Sequence, residues 1–416
     1  MHIPRDHGLD HTYSMLRDPY RFISRRCREH GADVFEARIM LRPTICMTGR
    51  EAAEVFYDPK RFMRRGAAML RIQESLFGRG GVQTLDEAEH QHRKRFFLDI
   101  LSPERMAKLV EAVGKQWHAF IHRWSSAPRV ELYGELHELL TRAVCTWAGV
   151  PLREADIPER TRELTAMFDS AGAVGPPHWA ARAARNRAEM WIMALIDSIR
   201  SGVYPAPEGS AAQRIAWFRD PRGALLDSRI AAVELLNVLR PTVAVSVYIT
   251  HCAVALHCHP HARGPLERGG DRERTLFAQE VRRFYPFFPA ATARVRERFE
   301  WHGYVFPRGR RVLLDLYGIN HDERIWESPE EFRPERFAHT VPDLFDLVPQ
   351  GGGNHRQHHR CPGEDLTLSL MKQATHMLVD LMSYDVPAQD LTIDYSRLPA
   401  LAKSRFLMTN VRPAYA

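Results

Sequence analysis

The chain has 416 residues, 44% of them hydrophobic, with a formal net charge of +7 and a sequence pI near 9.2. That is ample apolar material for a large core, and length alone admits two or three domains. The basic residues are scattered, with no block interleaved with aromatics, which argues against a nucleic-acid groove. Six cysteines (Cys27, Cys46, Cys145, Cys252, Cys258 and Cys361) form no CxxC pair, so a reducing cytoplasm is expected rather than a disulfide framework. The 21 histidines supply raw material for metal-centre chemistry.

The first residues, MHIPRDHGLDHTYSML, lack the apolar core of a signal segment. Helical patterning runs through 11–29, 51–57, 87–99, 103–125, 131–148, 157–169, 178–201, 224–258, 272–284 and 362–383. Strand-like stretches lie near 33–47, 297–315 and 404–412. The Pro-, Gly- and charge-rich segments 202–223 and 260–271 read as surface connections. The run 230–256 is long enough to cross a bilayer by count. Glu234, Asn237, Arg240 and Pro241 interrupt it, so a buried helix is expected and no membrane span. The expectation is one mainly α domain over 1–416 with a minor β portion.

Three stretches carry chemistry, and each has a bland alternative. In VLRPTV, Arg240 is a lone charge in an apolar run and must be paired or hydrated. It either caps the carbonyls freed by Pro241 or meets an incoming anion. In QEVRRFYPFFP, Glu280 and Arg283 stand three apart on a helix and can pair, as ordinary surface ion pairs do. In QGGGNHRQHHRCPGEDL, a glycine-rich loop meets Cys361 at a helix start, where backbone N–H groups and the helix dipole favour a thiolate. Gly351, Gly352 and Gly353 would let the backbone approach a flat cofactor. The alternatives are an inert buried cysteine, or a zinc site with His355, His358 and His359. The stretch HCAVALHCHPH, 251–261, could chelate a metal, with core packing and an exposed loop as the bland reading.

Taken in order, the Glu-x-x-Arg, the stretch YGINHDERIWESPEEFRPERF and the Gly-rich loop with a single cysteine resemble the cytochrome P450 superfamily of haem-thiolate enzymes. The resemblance covers nearly the whole chain. It implies a haem b between the long central helix and the Cys-loop helix, with Cys361 as the axial iron ligand. It also implies a buried network of Glu280 and Arg283 with Arg333 or Arg336. The loop departs from the usual pattern: Asn354 and Gln357 stand where Phe and Gly are customary. The form His359-Arg360-Cys361-x-Gly363-Glu364 is similar to the fatty-acid peroxygenase branch, which uses hydrogen peroxide in place of dioxygen, a reductase and NAD(P)H.

That branch also carries an Arg-Pro pair, here Arg240-Pro241, where ordinary monooxygenases carry an acid–alcohol pair. The resemblance implies that Arg240 binds a long-chain fatty-acid carboxylate, which then acts as general acid–base. It implies Gln83 above the haem, favouring hydroxylation over loss of carbon dioxide. Phe77 is implied near the substrate's first carbons, and Arg64, His90 and Lys94 on the haem propionates; a solvated helix face is the bland reading for these bases. The expected reaction is α- or β-hydroxylation without a redox partner. The rivals are an alkene-forming decarboxylase, a dioxygen- and ferredoxin-dependent monooxygenase, and a haem-binding sensor without turnover.

Overall fold

The computed structural model describes residues 2–414. Helix Pro103–Ser125 shows how local sequence becomes structure. It starts with a proline in its first turn, where a missing N–H costs nothing, and buries Leu109, Val113, Trp117, Phe120, Ile121 and Trp124 along one face. Helix Leu132–Ala148 stops at Gly149, whose φ of 73° suits glycine. Leu132–Ala148, Ile157–Asp169 and Pro176–Arg200 pack on the central helix Ser228–Cys258, and Pro103–Ser125 packs on Leu132–Ala148 behind them, all within the main apolar core. Helix Glu364–His376 packs on the central helix as well.

The central helix is long and apolar enough to cross a membrane by composition, but 89% of its apolar window is buried inside the protein. Residues 231–256 are buried throughout with one exception, Pro241. The helix runs unbroken through that proline.

A five-stranded sheet joins the N-terminal region to the segment after helix Asp271–Phe284. Strands Val34–Ile39 and Arg42–Met47 form an antiparallel hairpin. The second pairs in parallel with Arg311–Asp315, with Ile45 opposite Val312. That strand pairs antiparallel with Ala290–Val295, which carries the short Phe62–Met63 at the sheet edge.

The helical expectations hold with identical bounds for Pro103–Ser125 and Ile157–Asp169. Four segments differ in kind. The 11–29 pattern is two helices, Thr12–Arg17 and Phe22–His30, because Pro19 removes an N–H donor between them. The 362–383 pattern is a helix only over Glu364–His376; it widens through Met377–Leu381 and becomes the strand Met382–Asp385. Segments 202–223 and 260–271 contain the short helices Ala211–Ala216 and Arg263–Arg268. Strands of two to six residues such as Phe62–Met63, Val130–Glu131 and Ala290–Val295 were missed, being too short to display a period.

Glu280 and Arg283 are fully buried rather than a surface pair. Arg283 donates to both Glu280 oxygens at 2.8 Å and to the carbonyls of Asn320 (3.0 Å) and Pro329 (2.9 Å). The choice left open between two arginines falls to Arg336, whose Nε lies 3.2 Å from Glu280. The Arg333 side chain turns to Glu327 and Glu335, and only its backbone N–H donates to Glu280, at 2.8 Å. One buried carboxylate thus faces two guanidinium groups and staples the 320–336 segment to helix Asp271–Phe284. Glu280→Gln leaves both cations without a counter-charge and should cost about 3–5 kcal/mol. Thermal unfolding checks this; an unchanged midpoint would show that the staple adds no stability.

His137 is buried with its Nε2 unpartnered, and burial pushes its pKa down to about 4. Its unfolded value is about 6.5. The folded state therefore binds fewer protons, so this contribution is complete above pH 6.5 and is lost as pH falls towards 4. His137→Phe, which keeps the ring against Tyr133 and Phe168, should reduce the stability lost between pH 6.5 and 5 by up to about 2 kcal/mol. Urea midpoints at the two pH values measure it, and parallel losses in both proteins would contradict the assignment.

Candidate active site

Glu234, Asn237 and Arg240 recur at intervals of three along the central helix and so share a face. All are buried, Arg240 to 6% exposure. Glu234 is neutralised by Arg93 at 2.5 Å. Asn237 donates to Glu234 at 2.9 Å and to Gln83 at 3.3 Å. Arg240 makes one long contact, 3.5 Å from its Nη2 to Asn237 Oδ1, and its Nε has no partner. No carboxylate pairs with it among the described residues. Burial, reinforced by the nearby Arg185 guanidinium, lowers its pKa to about 9; the Cys361 sulfur acts the other way. The helix-capping role for Arg240 is not observed, since its contact is to a side chain.

Pro241 is the one partly open residue in a buried stretch, so its ring borders an internal space. Thr242, the next residue, bonds its hydroxyl to its own helix at Val238 O, 2.9 Å. Phe77 ends the wide turn Gln73–Phe77, and Gln83 sits in the following turn Val82–Thr84; both are partly buried. Arg185 holds this segment through the carbonyls of Leu76 (3.1 Å) and Phe77 (3.5 Å) and pairs with Glu189 at 2.8 Å.

Cys361 lies deep in the protein yet retains accessible surface, so its sulfur also faces an internal space. Burial pushes the thiol up, against the Gly363 N–H, Lys94 and Arg282, which favour the thiolate. The helix starts at Glu364, leaving Pro362-Gly363 in the turn ahead, and desolvation outweighs the N–H groups. A thiolate here needs a cation bound to the sulfur.

The glycine run is tightly packed within the protein. A Cβ on Gly351 would come 3.0 Å from the Tyr57 hydroxyl, one on Gly352 2.9 Å from Val348, and one on Gly353 2.1 Å from His358 Nδ1. The glycines let the loop coil closely on itself and on Tyr57. Glu364 fixes the loop from below. Burial would raise its pKa, but Arg282 and Arg360 outweigh that and hold it at about 2. No zinc site forms: among the described residues no group of three His, Cys, Asp or Glu side chains could hold a metal ion, which also removes the 251–261 stretch. His251 stacks on Tyr285 in the core, and Cys258 is exposed.

Arg64, His90, His358 and His359 line a cleft beside the loop. His90 and His359 stack with ring centroids 3.7 Å apart. Burial, then Lys94 and Arg64, press the His90 pKa down to about 4, and His359 lies well below its ordinary value for similar reasons. The Arg64 guanidinium lies over the rings of Phe56 and Tyr57, not on a carboxylate. Lys94 donates to the carbonyls of His358 and Arg360, and burial lowers its pKa to about 8. The acidic neighbours are already used: Asp86 takes the backbone N–H groups of Arg64 and Arg65, and Glu87 pairs with Arg296 at 2.5 Å. Crowded bases without a counter-anion suit the propionates of a haem, and a sulfur facing internal space suits its iron. The donor set fits that group.

The structure therefore brings Arg240, Pro241 and Cys361 to interior space and gathers Arg64, His90 and Lys94 beside the Cys loop. Sequence reasoning passed over the roles of Glu234, Asn237 and Arg185. The interval of three shared by Glu234, Asn237 and Arg240 was the available signal for the first two.

Residues 276–405 match the family model described as cytochrome P450. Solved structures of cytochrome P450SP alpha (CYP152B1) superpose with a TM-score of 0.96 at 51% identity, covering 98% of this chain and 100% of theirs. One such structure is a complex with (R)-ibuprofen. Cytochrome P450EX alpha (CYP152N1), solved with myristic acid, is 41% identical, with a TM-score of 0.96 over 99% of this chain and 100% of that one. A variant of cytochrome P450 OleT, solved with arachidonic acid, is 34% identical, also at 0.96, with both chains fully covered. Identity at this level over whole chains, on the same backbone, makes this chain a member of the cytochrome P450 family, whose enzymes carry a haem iron.

Proposed function

We propose that this protein is a haem-thiolate peroxygenase that consumes hydrogen peroxide and hydroxylates long-chain fatty acids at the α or β carbon, returning water as the second product. One observation carries the reading: a buried guanidinium, Arg240, with no carboxylate partner among the described residues and a single long contact to an amide oxygen. The relatives solved with myristic and arachidonic acids support a fatty acid as the anion it awaits.

Cys361 is the residue to hold the haem iron, and Arg64, His90 and Lys94 are those to face its propionates. Thiolate-ligated haem supplies O–O bond cleavage and the oxidising power for a C–H bond. The chain's own residues do the rest. Arg240 offers its planar fork to the carboxylate, a charge-assisted contact strengthened by the low dielectric around it. Anchoring the head group fixes how far the chain reaches, so the first carbons beyond the carboxylate are the ones presented for oxidation. Phe77 borders that position, and Gln83, tied to Asn237, orients the pocket towards hydroxylation.

Losing water from hydrogen peroxide requires a proton to be delivered to the departing oxygen. The protein has no free acid for this on the central helix: Glu234 is committed to Arg93, and the Thr242 hydroxyl to Val238 O. The bound substrate carboxylate, itself an acid–base group, moves it instead. This accounting favours peroxide over dioxygen, which would need a proton relay built into the helix.

Arg240→Leu should keep haem and lose at least about 100-fold in peroxide-driven turnover of a long-chain fatty acid, the scale of a buried charge pair. Product formation by gas chromatography measures it and also separates hydroxy acids from alkenes. Retained turnover would remove this mechanism, and efficient turnover only with ferredoxin and dioxygen would favour the monooxygenase. Cys361→Ser should erase the red-shifted Soret band of the carbonyl-bound ferrous form; an unchanged band would refute the ligand assignment.

A further inference from the structure

Arg240 has almost nothing to hold it. Of its guanidinium donors, one meets a side-chain acceptor within the protein, the Oδ1 of Asn237 at 3.5 Å. A flexible charged side chain with one weak tether would lose much of its advantage in capturing an anion, because ordering it on binding costs entropy. What fixes Arg240 must therefore fix Asn237 first.

Glu234 does this. Its carboxylate lies among donors: the Arg93 guanidinium at 2.5 Å, the Asn237 amide at 2.9 Å and the backbone N–H of Val82. Burial raises the Glu234 pKa and these three donors oppose it; as the counter-charge of Arg93 the carboxylate accepts only. The Asn237 amide must then point its NH2 at Glu234, which leaves its oxygen for Arg240. The same NH2 reaches Gln83 Oε1 at 3.3 Å. Asn237 thus links the anion-binding arginine to Gln83, and its orientation is dictated from Glu234.

A second feature guards the same junction. Gly81 has φ −71°, which any residue can adopt, so its lack of a side chain is not a backbone requirement. A Cβ there would come 2.9 Å from Asn237 Nδ2 and 3.0 Å from Gln83 Oε1. The position is open because the amide and Gln83 need the room.

We propose that Asn237, locked by Glu234 and given space by Gly81, is the positioning residue for the Arg240 guanidinium and sets the affinity of this site for a carboxylate head group. The proposal rests on Arg240 binding the substrate carboxylate, as argued above. It adds a determinant of acid-over-neutral selectivity that acts through Arg240.

The test compares myristic acid with 1-tetradecanol by calorimetric titration of the haem-loaded full chain. Asn237→Leu, of similar size, should raise the Kd of the acid about tenfold, equivalent to about 1.4 kcal/mol, and leave that of the alcohol within about twofold. Glu234→Gln can turn the amide round and should shift the acid in the same direction. Gly81→Ala should do so with every polar group retained. Arg240→Leu is the control. If it leaves the acid-to-alcohol ratio at the parent value, the underlying reading fails. If it abolishes the preference while Asn237→Leu does not weaken the acid, only the positioning role is overturned. Equal weakening of acid and alcohol by Asn237→Leu, the sign of a packing defect, overturns it too. Should Asn237→Leu not retain haem, Gly81→Ala decides by the same ratio.

Discussion

A positive charge buried in the middle of an apolar helix, with no negative partner, is the constraint around which the interior is arranged. Desolvating a guanidinium costs several kcal/mol, and a fold normally returns this with a carboxylate. This protein does supply a carboxylate nearby, Glu234, but commits it to Arg93. Arg240 is left with one amide oxygen, and burial has already weakened its hold on its proton. An anion entering that space restores the missing partner. On the proposed reading the stability withheld from the free protein is returned when substrate binds, so specificity and affinity come from the same omission.

The other face of the interior follows the same logic. Arg64, His90, Lys94, His358 and His359 crowd together while their acidic neighbours are occupied with backbone N–H groups or with Arg296. The Cys361 thiol is pushed up by burial, despite cations that favour its charge. Both features describe a cofactor-shaped need: anions for the bases and a metal for the sulfur. Where the protein requires rigidity and not ligand binding, it completes its ion pairs instead. Glu280 with Arg283 and Arg336, and Glu364 with Arg282 and Arg360, leave no such deficit at their carboxylates. The contrast between completed and incomplete pairs separates scaffold from site.

The long helices were legible in the chain, because 23 residues of 3.6-residue periodicity, as in Pro103–Ser125, leave little choice of structure. So was the central helix, whose burial over 231–256, broken only at Pro241, explains an apolar run with few charges. The candidate site was legible in its types: a lone Arg before Pro241, a single Cys after a glycine run, and a Glu and Arg three apart. Its wiring was not. That Glu234 is taken by Arg93, that Asn237 stands between Glu234 and Gln83, and that the Arg336 and not the Arg333 side chain meets Glu280 all depend on groups far apart in sequence.

The sequence by itself determined the mainly helical architecture, the family resemblance and the residues that can do the chemistry, because periodicity, punctuation and ordered motifs are local properties of the chain. Only the tertiary structure decided which charges are paired and which are left wanting. A guanidinium's partner is set by distance and burial, and Arg93 reaches Glu234 across 141 positions of sequence. The same folding that spends Glu234 on Arg93 turns Asn237 towards Arg240 and leaves that cation open to an outside carboxylate.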